Sequence, residues 1–261
     1  MNHIFGPDGD ARIPIACVAG SHGKTTVTRI LHHILKQLYP SAAIADSLGI
    51  KVGDWEVATT SSDNGQSARD ILANPDVTAA VFEASIESIL RDGLGFDKCD
   101  IAIITNLTQV DLGGEFDLWG EEKIFAVERT PVDVVLERGA AVLNAADPLV
   151  MQMKPLSKGD VILFAVDASL DAIAQHLAEG KRAVIVAESA IWLCSGHSPH
   201  PGPAAPSTAA HAASGIDPTR DSAAEIQRLP DVAVALRLPQ LPAPPGAVRG
   251  WPAPTADLPG R

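Results

Sequence analysis

The chain has 261 residues, 46% of them hydrophobic, and carries 20 Lys+Arg against 32 Asp+Glu, a formal net charge of −12. That length and apolar content suit one or two soluble domains with a full core. The acidic balance, without any Lys/Arg run, argues against a nucleic-acid or anionic-membrane surface.

No apolar stretch approaches the ~20 residues of a membrane span, and the N-terminus lacks the basic-then-apolar layout of a signal peptide, so the expected location is cytoplasmic. Cys17, Cys99 and Cys194 are few, odd in number and unmatched in spacing, which gives neither a disulfide framework nor a zinc site. Residues 1–12, with Gly6-Pro7-Asp8-Gly9, read as an N-terminal linker. The apolar run Ile13 to Ala19 then delivers Gly20-Ser21-His22-Gly23-Lys24-Thr25-Thr26 onto an amphipathic segment that runs to Leu38. A strand, a glycine-rich turn and a helix N-terminus gather backbone N–H groups and the positive helix end around one point, which suits a polyphosphate. Lys24 would reach the β- and γ-phosphates and the Thr25 hydroxyl would ligate Mg²⁺. Val18 stands where the longer P-loop pattern has its first glycine, so the motif is the compact GxxGKT form. A plain strand-to-helix turn with a solvated lysine is the competing reading.

In the helix, Val27, Ile30, Leu31, Ile34, Leu35 and Leu38 form one apolar stripe, with His32 and His33 read as a packed and a solvated histidine. Tyr39-Pro40 stops it. Ala42 to Ala45 reads as a strand, Ile50 to Val57 as a β-hairpin across Gly53-Asp54, and Gln66 to Ala73 as a short helix. Val77 to Phe82 is a strand ending at Glu83, and Ile101 to Thr105 one ending at Asn106; such continuous apolar runs suit parallel strands buried on both faces. Phe116 to Thr130 is a helix with Trp119, Ile124 and Val127 inward. Ala140 to Leu143 and Val161 to Val166 are strands, Leu170 to Leu177 a helix, and Ala183 to Val186 a final strand. The expected fold is α/β: a P-loop domain over residues 13–194 with a mostly parallel sheet flanked by helices, its ligands at the carboxyl ends of the strands. Glu83, Asn106 and the P-loop all fall at that edge.

Over residues 195–261 the composition changes: 13 of the 20 prolines lie between Pro199 and Pro259, and the last lysine is Lys181. This Pro/Ala-rich stretch is expected to be a disordered tail, either a linker or an out-of-frame product. His197 and His200 in it read as solvated.

The P-loop GSHGKTT is similar to the GTNGKTT of the Mur ligase family. The run from Glu83 to Asp100 resembles the central domain of the cyanophycin synthetase branch, above all in Gly93-Leu94-Gly95-Phe96-Asp97-Lys98-Cys99-Asp100. Ala141-Val142-Leu143-Asn144-Ala145-Ala146-Asp147-Pro148 resembles that branch too. The resemblance covers roughly Arg12 to Leu193. It implies an ADP-forming ligase that uses ATP and Mg²⁺ to activate a carboxylate as an acyl phosphate for attack by an amine, the substrate being a small amino acid or peptide. It implies that Gly20, Ser21, His22, Gly23, Lys24, Thr25, Thr26 and Asn106 bind the nucleotide, with Lys24 catalytic and Thr25 and Glu83 on the metal. Full-length members carry an ATP-grasp region before this domain and a Mur-type domain after it. A full-length synthetase or a second copy of the chain is the implied partner.

The pattern also departs from the family. Val110 and Asp111 stand where the N-x-x-x-D-H motif has Asp and His, and Glu87 sits in a loop that is basic and glycine-rich in cyanophycin synthetases. The family's downstream lysine, which supports a second magnesium, has Lys123 as its candidate, while Glu128 occupies one alignment of that position. Two functions stay open at this point: an ADP-forming ligase, and a catalytically silent P-loop module that binds ATP.

Overall fold

The apolar runs of the sequence become the strands of one sheet. The computed structural model describes residues 12–108, 120–187, 190–196 and 224–228. Strands β1 (Ile15–Ala19), β2 (Ala42–Asp46), β3 (Gly49–Val52), β4 (Trp55–Ala58), β5 (Ala79–Glu83), β6 (Cys99–Ile104), β7 (Val135–Asn144), β8 (Asp160–Ala165), β9 (Arg182–Ala187), β10 (Ala190–Gly196) and β11 (Ala224–Arg228) are arranged in the order β4-β3-β2-β5-β1-β6-β7-β8-β9-β10-β11. The seven strands from β2 through β9 in that order pair in parallel, and antiparallel strands extend both ends. Every residue of β1, β2 and β5 is buried, as parallel strands covered on both faces require.

Among the described residues seven α-helices connect them: α1 (Lys24–Leu35), α2 (Gly65–Leu72), α3 (Ile86–Asp92), α4 (Glu121–Glu128), α5 (Thr130–Asp133), α6 (Pro148–Met151) and α7 (Asp171–Ala178). Helix α1 packs on β1, β2 and β5 through Leu31 and Leu35, against Ala16, Val18, Ala42 and Val81. Helices α2 and α4 to α7 send Ile71, Ile124, Val132, Val150 and Ile173 into the larger core on the other face. Within the predicted stripe of α1, Ile30 and Leu38 turn out to be exposed, and the small Thr28 takes a core position with its hydroxyl donated to the Lys24 carbonyl at 2.8 Å. His32 is packed, with Nε2 at 3.0 Å from the Ala42 carbonyl, and His33 is exposed. The three cysteines are buried, and none is joined in a disulfide.

Three expectations change. Strand β9 is not the last: β10 returns antiparallel to it and β11 pairs with β10, Cys194 opposite Ile226, so regular structure reaches into the stretch expected to be a tail. The rest of residues 195–261, with His197 and His200, lies outside the described residues after Gly196. The helix expected over 116–130 is described from Glu121 and ends at Glu128, before Pro131 opens the next turn; Trp119 lies outside the described residues. Helix α3, which sequence reading left as a loop, forms because Ser85 caps it, its hydroxyl accepting the Ser88 N–H at 3.3 Å.

Candidate active site

Strands β5, β1 and β6 lie side by side, so the chain segments leaving their carboxyl ends meet at one edge. The strand order reverses around β1, and such a switch point opens a crevice for a ligand. The loop after β1 crosses the end of β6 so closely that a Cβ on Gly20 would stand 2.4 Å from Thr105 Oγ1 and 2.8 Å from the Asn106 carbonyl oxygen. Gly20 also has φ 118°, and Gly23, at the N-cap of α1, has φ 82°, backbones that suit glycine.

Residues from β6 fix the loop. The Asn106 side chain accepts the His22 N–H at 3.0 Å and donates to the His22 carbonyl at 3.1 Å, while the Asn106 carbonyl accepts the Ser21 N–H at 2.8 Å. Thr105 Oγ1 donates to the same His22 carbonyl at 2.8 Å. The Ser21 hydroxyl donates to the Thr108 carbonyl at 3.0 Å and accepts the Thr108 N–H at 2.8 Å, and His22 Nε2 lies 3.3 Å from Thr108 Oγ1. Asn106 therefore braces the loop through its amide. Further back, Asn144 donates to the Thr105 carbonyl at 2.8 Å, and Asp147, which caps α6, accepts the Leu107 N–H at 2.6 Å. The Asn-Ala-Ala-Asp-Pro string after β7 thus supports the edge from behind.

At the start of α1 the Lys24 ammonium bends back to the Ser21 carbonyl at 3.4 Å, and Thr26 is exposed on the first turn. Thr25 Oγ1 donates to Glu83 Oε1 at 3.0 Å and lies 2.9 Å from the Ser47 hydroxyl, while the Ser47 N–H donates to Glu83 Oε2 at 3.1 Å. Glu83 is only 5% exposed. The structure thus brings Thr25 and Glu83 together and adds Ser47, which sequence reading missed; the available signal was its place just after β2, at the same carboxyl edge. Asp46 holds that turn, accepting Arg29 Nε at 2.6 Å and the Leu48 N–H at 2.8 Å.

Two hydroxyls and one carboxylate converging beside a lysine are hard oxygen donors suited to Mg²⁺, with phosphate oxygens and water completing an octahedron. Among the described residues no group of three His, Cys, Asp or Glu is present to form an all-protein cage.

The helix α4 resolves the alternatives for the downstream position. Lys123 stands exposed in its first turn, whereas Glu128 at its end is 2% exposed, and Glu128 Oε2 accepts the Gly20 N–H at 3.0 Å. Five residues on a helix rotate the side chain by well over a third of a turn, so one helix cannot present both to the loop. Of the two, α4 brings Glu128 to the Gly20 N–H of the P-loop. Burial pushes the Glu128 carboxyl up to about 7, against the opposing pull of the Gly20 N–H and of Lys24. Val110 and Asp111 lie outside the described residues.

A central parallel strand running through a glycine-rich loop into a helix, with a strand-end carboxylate beside the loop's Lys-Thr, defines a P-loop α/β domain. The chain belongs to the Mur ligase family: residues 18–190 match the Mur ligase middle domain. It is 34% identical over 196 residues to the cyanophycin synthetase of Crocosphaera subtropica, covering 75% of this chain and 22% of that protein. To the cyanophycin synthetase of Geminocystis herdmanii it is 36% identical over 186 residues, 71% of this chain and 21% of the relative. The chain therefore spans about a fifth of the length of these curated relatives. A solved UDP-N-acetylmuramoyl-L-alanyl-D-glutamate–2,6-diaminopimelate ligase shares the fold, with TM-score 0.51 and 17% identity over 70% of this chain and 37% of that one.

Proposed function

We propose that this chain binds ATP with Mg²⁺ and supplies the nucleotide site of an ADP-forming ligase that joins an amino acid to a carboxylate through an acyl phosphate. The observation that carries the reading is the convergence of Thr25, Ser47 and Glu83 beside Lys24 at the N-terminus of α1. Lys24 releases the Ser21 carbonyl and meets the β- and γ-phosphates, while the free N–H groups at the start of α1 face the same oxygens. Thr25, Ser47 and Glu83 hold the metal, which when bound neutralises phosphate charge. The braces from Thr105, Asn106 and Thr108 fix the loop beforehand, so little reorganisation is left for the moment of transfer.

The amino-acid substrate needs groups beyond those at this edge. Ligation on this reading requires further chain, as a full-length synthetase or a second copy would provide, and the seat of the reaction is the cytoplasm, where ATP is supplied. No helix of the described residues is long and apolar enough to cross a membrane.

The test pairs calorimetric ATP titration, with and without Mg²⁺, with ADP release in the presence of aspartate, arginine and a β-Asp-Arg primer. Magnesium-dependent ATP binding supports the nucleotide site, and its absence overturns the proposal. ADP release that depends on the amino acid and is lost in Lys24→Ala shows that the chain ligates unaided. ATP binding without ADP release shows a module that needs the rest of a synthetase.

A further inference from the structure

Glu128 has no part in the scheme above, yet it is the most deeply placed acid at the loop. Its carboxylate meets the backbone at the first residue of the P-loop, and Lys24 is the cation that acts on it. Other groups around it are accounted for among the described residues. From β1 comes the Cys17 thiol, held well above its ordinary range by burial, hence neutral. On α3, Glu87, Arg91 and Asp92 are exposed. On α5, Asp133 accepts Arg129 Nε at 2.9 Å, and α6 carries no charged residue. Among the described residues, then, this buried carboxylate is met by the Gly20 N–H and by the charge of Lys24.

Resting on the nucleotide reading, we propose that Glu128 is a positioning residue that holds Gly20 at the head of the P-loop and takes up one proton from solvent when ATP brings its phosphates to Lys24. The triphosphate engages both Lys24 and the Mg²⁺ that comes with it, which leaves the buried carboxylate without a cation of its own, and two anions in a weakly screened site repel strongly. Protonation removes the repulsion at little structural cost, because the carboxylic acid keeps a carbonyl oxygen for the Gly20 N–H. The proton leaves water or buffer and bonds to a Glu128 oxygen; no other bond is made or broken.

The direction of the pH dependence follows. In the empty chain Glu128 loses its proton at about 7. The complex loses it at higher pH, so between the two values binding takes up a proton and affinity falls as pH rises. Below about 7 both forms are protonated and Glu128 contributes no slope.

The experiment is calorimetric titration of the full chain with ATP and Mg²⁺ at pH 7.0, 7.5 and 8.0, in two buffers of different ionisation enthalpy, beside Glu128→Gln. The amide retains an acceptor for Gly20 but cannot take the proton, and its fold is checked by circular dichroism. The wild type is expected to show buffer-dependent enthalpy approaching one proton per ATP at pH 8.0, with Kd rising by up to about tenfold per pH unit above 7. Glu128→Gln is expected to lack both. Equal proton uptake in the two proteins, or none in the wild type while ATP binds, overturns this inference and leaves the nucleotide reading standing. Failure of both proteins to bind ATP overturns the nucleotide reading, and this inference with it.

Discussion

Glu128 also makes the folded chain itself sensitive to pH, and the size of the effect follows from its burial. The side chain is 2% exposed, and burial lifts its carboxyl from an ordinary 4.5 to about 7. The unfolded chain releases this proton at the lower value, so between the two the folded state binds more protons than the unfolded one. Stability from this group is thus complete below about 4.5 and is lost as pH rises through 7. A separation of two to three pH units is worth about 3 kcal/mol, a sizeable part of a domain's total.

Glu128→Gln removes the titration while keeping an oxygen for Gly20. Urea unfolding of both proteins from pH 5 to pH 8 should show the wild type losing about 3 kcal/mol relative to the variant as pH rises. Buried His32 and His176, whose imidazoles burial holds below their ordinary range, pull the other way, since neutral imidazole favours the fold. They do so in both proteins and cancel in the difference. A stability difference constant to within about 0.5 kcal/mol across that range would refute the argument that Glu128 is buried as a carboxylate.

Other substitutions probe the site directly. Lys24→Ala should abolish ATP binding in the presence of Mg²⁺ by calorimetry while leaving the melting temperature unchanged within about 2 °C at pH 6, where Glu128 is protonated and the lysine's hydrogen bond is the long one to Ser21. Thr25→Ala, and more weakly Ser47→Ala, should reduce ATP affinity with Mg²⁺ present and have little effect without it. Gly20→Ala should destabilise the fold by about 1–3 kcal/mol in urea, since its Cβ has no room beside Thr105 and Asn106 and its φ is 118°. A Gly20→Ala variant as stable as the wild type would show that the loop does not cross the end of β6 as described.

The sequence exposed the parts of this edge that rest on local chemistry. Gly20 to Thr26 announce a strand-loop-helix turn, and Glu83 and Asn106 end apolar runs, which is enough to put all three on one rim of a parallel sheet. The hairpin at Gly53-Asp54 was equally local, with φ 58° at Gly53. Ser47 was not legible, because a single serine after a short strand carries no pattern of its own. Glu128 and Lys123 sit on one helix with similar polarity, and only packing decides which of them faces Gly20, 108 residues away in the chain. Strand β10 escaped because it abuts the change of composition after Cys194, and β11, Ala-Glu-Ile-Gln-Arg, because it lies in the Pro/Ala-rich stretch with too little apolar pattern to mark a strand; pairing with a neighbour decides both.

The sheet has a further property as a surface. On β6 to β9, alternate residues Ala102, Leu143, Leu163 and Ile185 are fully buried, while Ile103, Val142, Ile162, Phe164 and Val184 are only partly buried. The described helices that pack on these strands, α5, α6 and α7, place Val132, Val150 and Ile173 in the same cluster as the buried set. In colloidal terms, the strip beside α1 is, among the described residues, a band of incompletely covered oil on an acidic chain. Cohesion through such a patch strengthens on warming and with sulfate, and weakens in urea. Purified chain should therefore turn cloudy on gentle warming in ammonium sulfate and clear again on cooling, well below its unfolding temperature, even though its net charge of −12 favours dispersal.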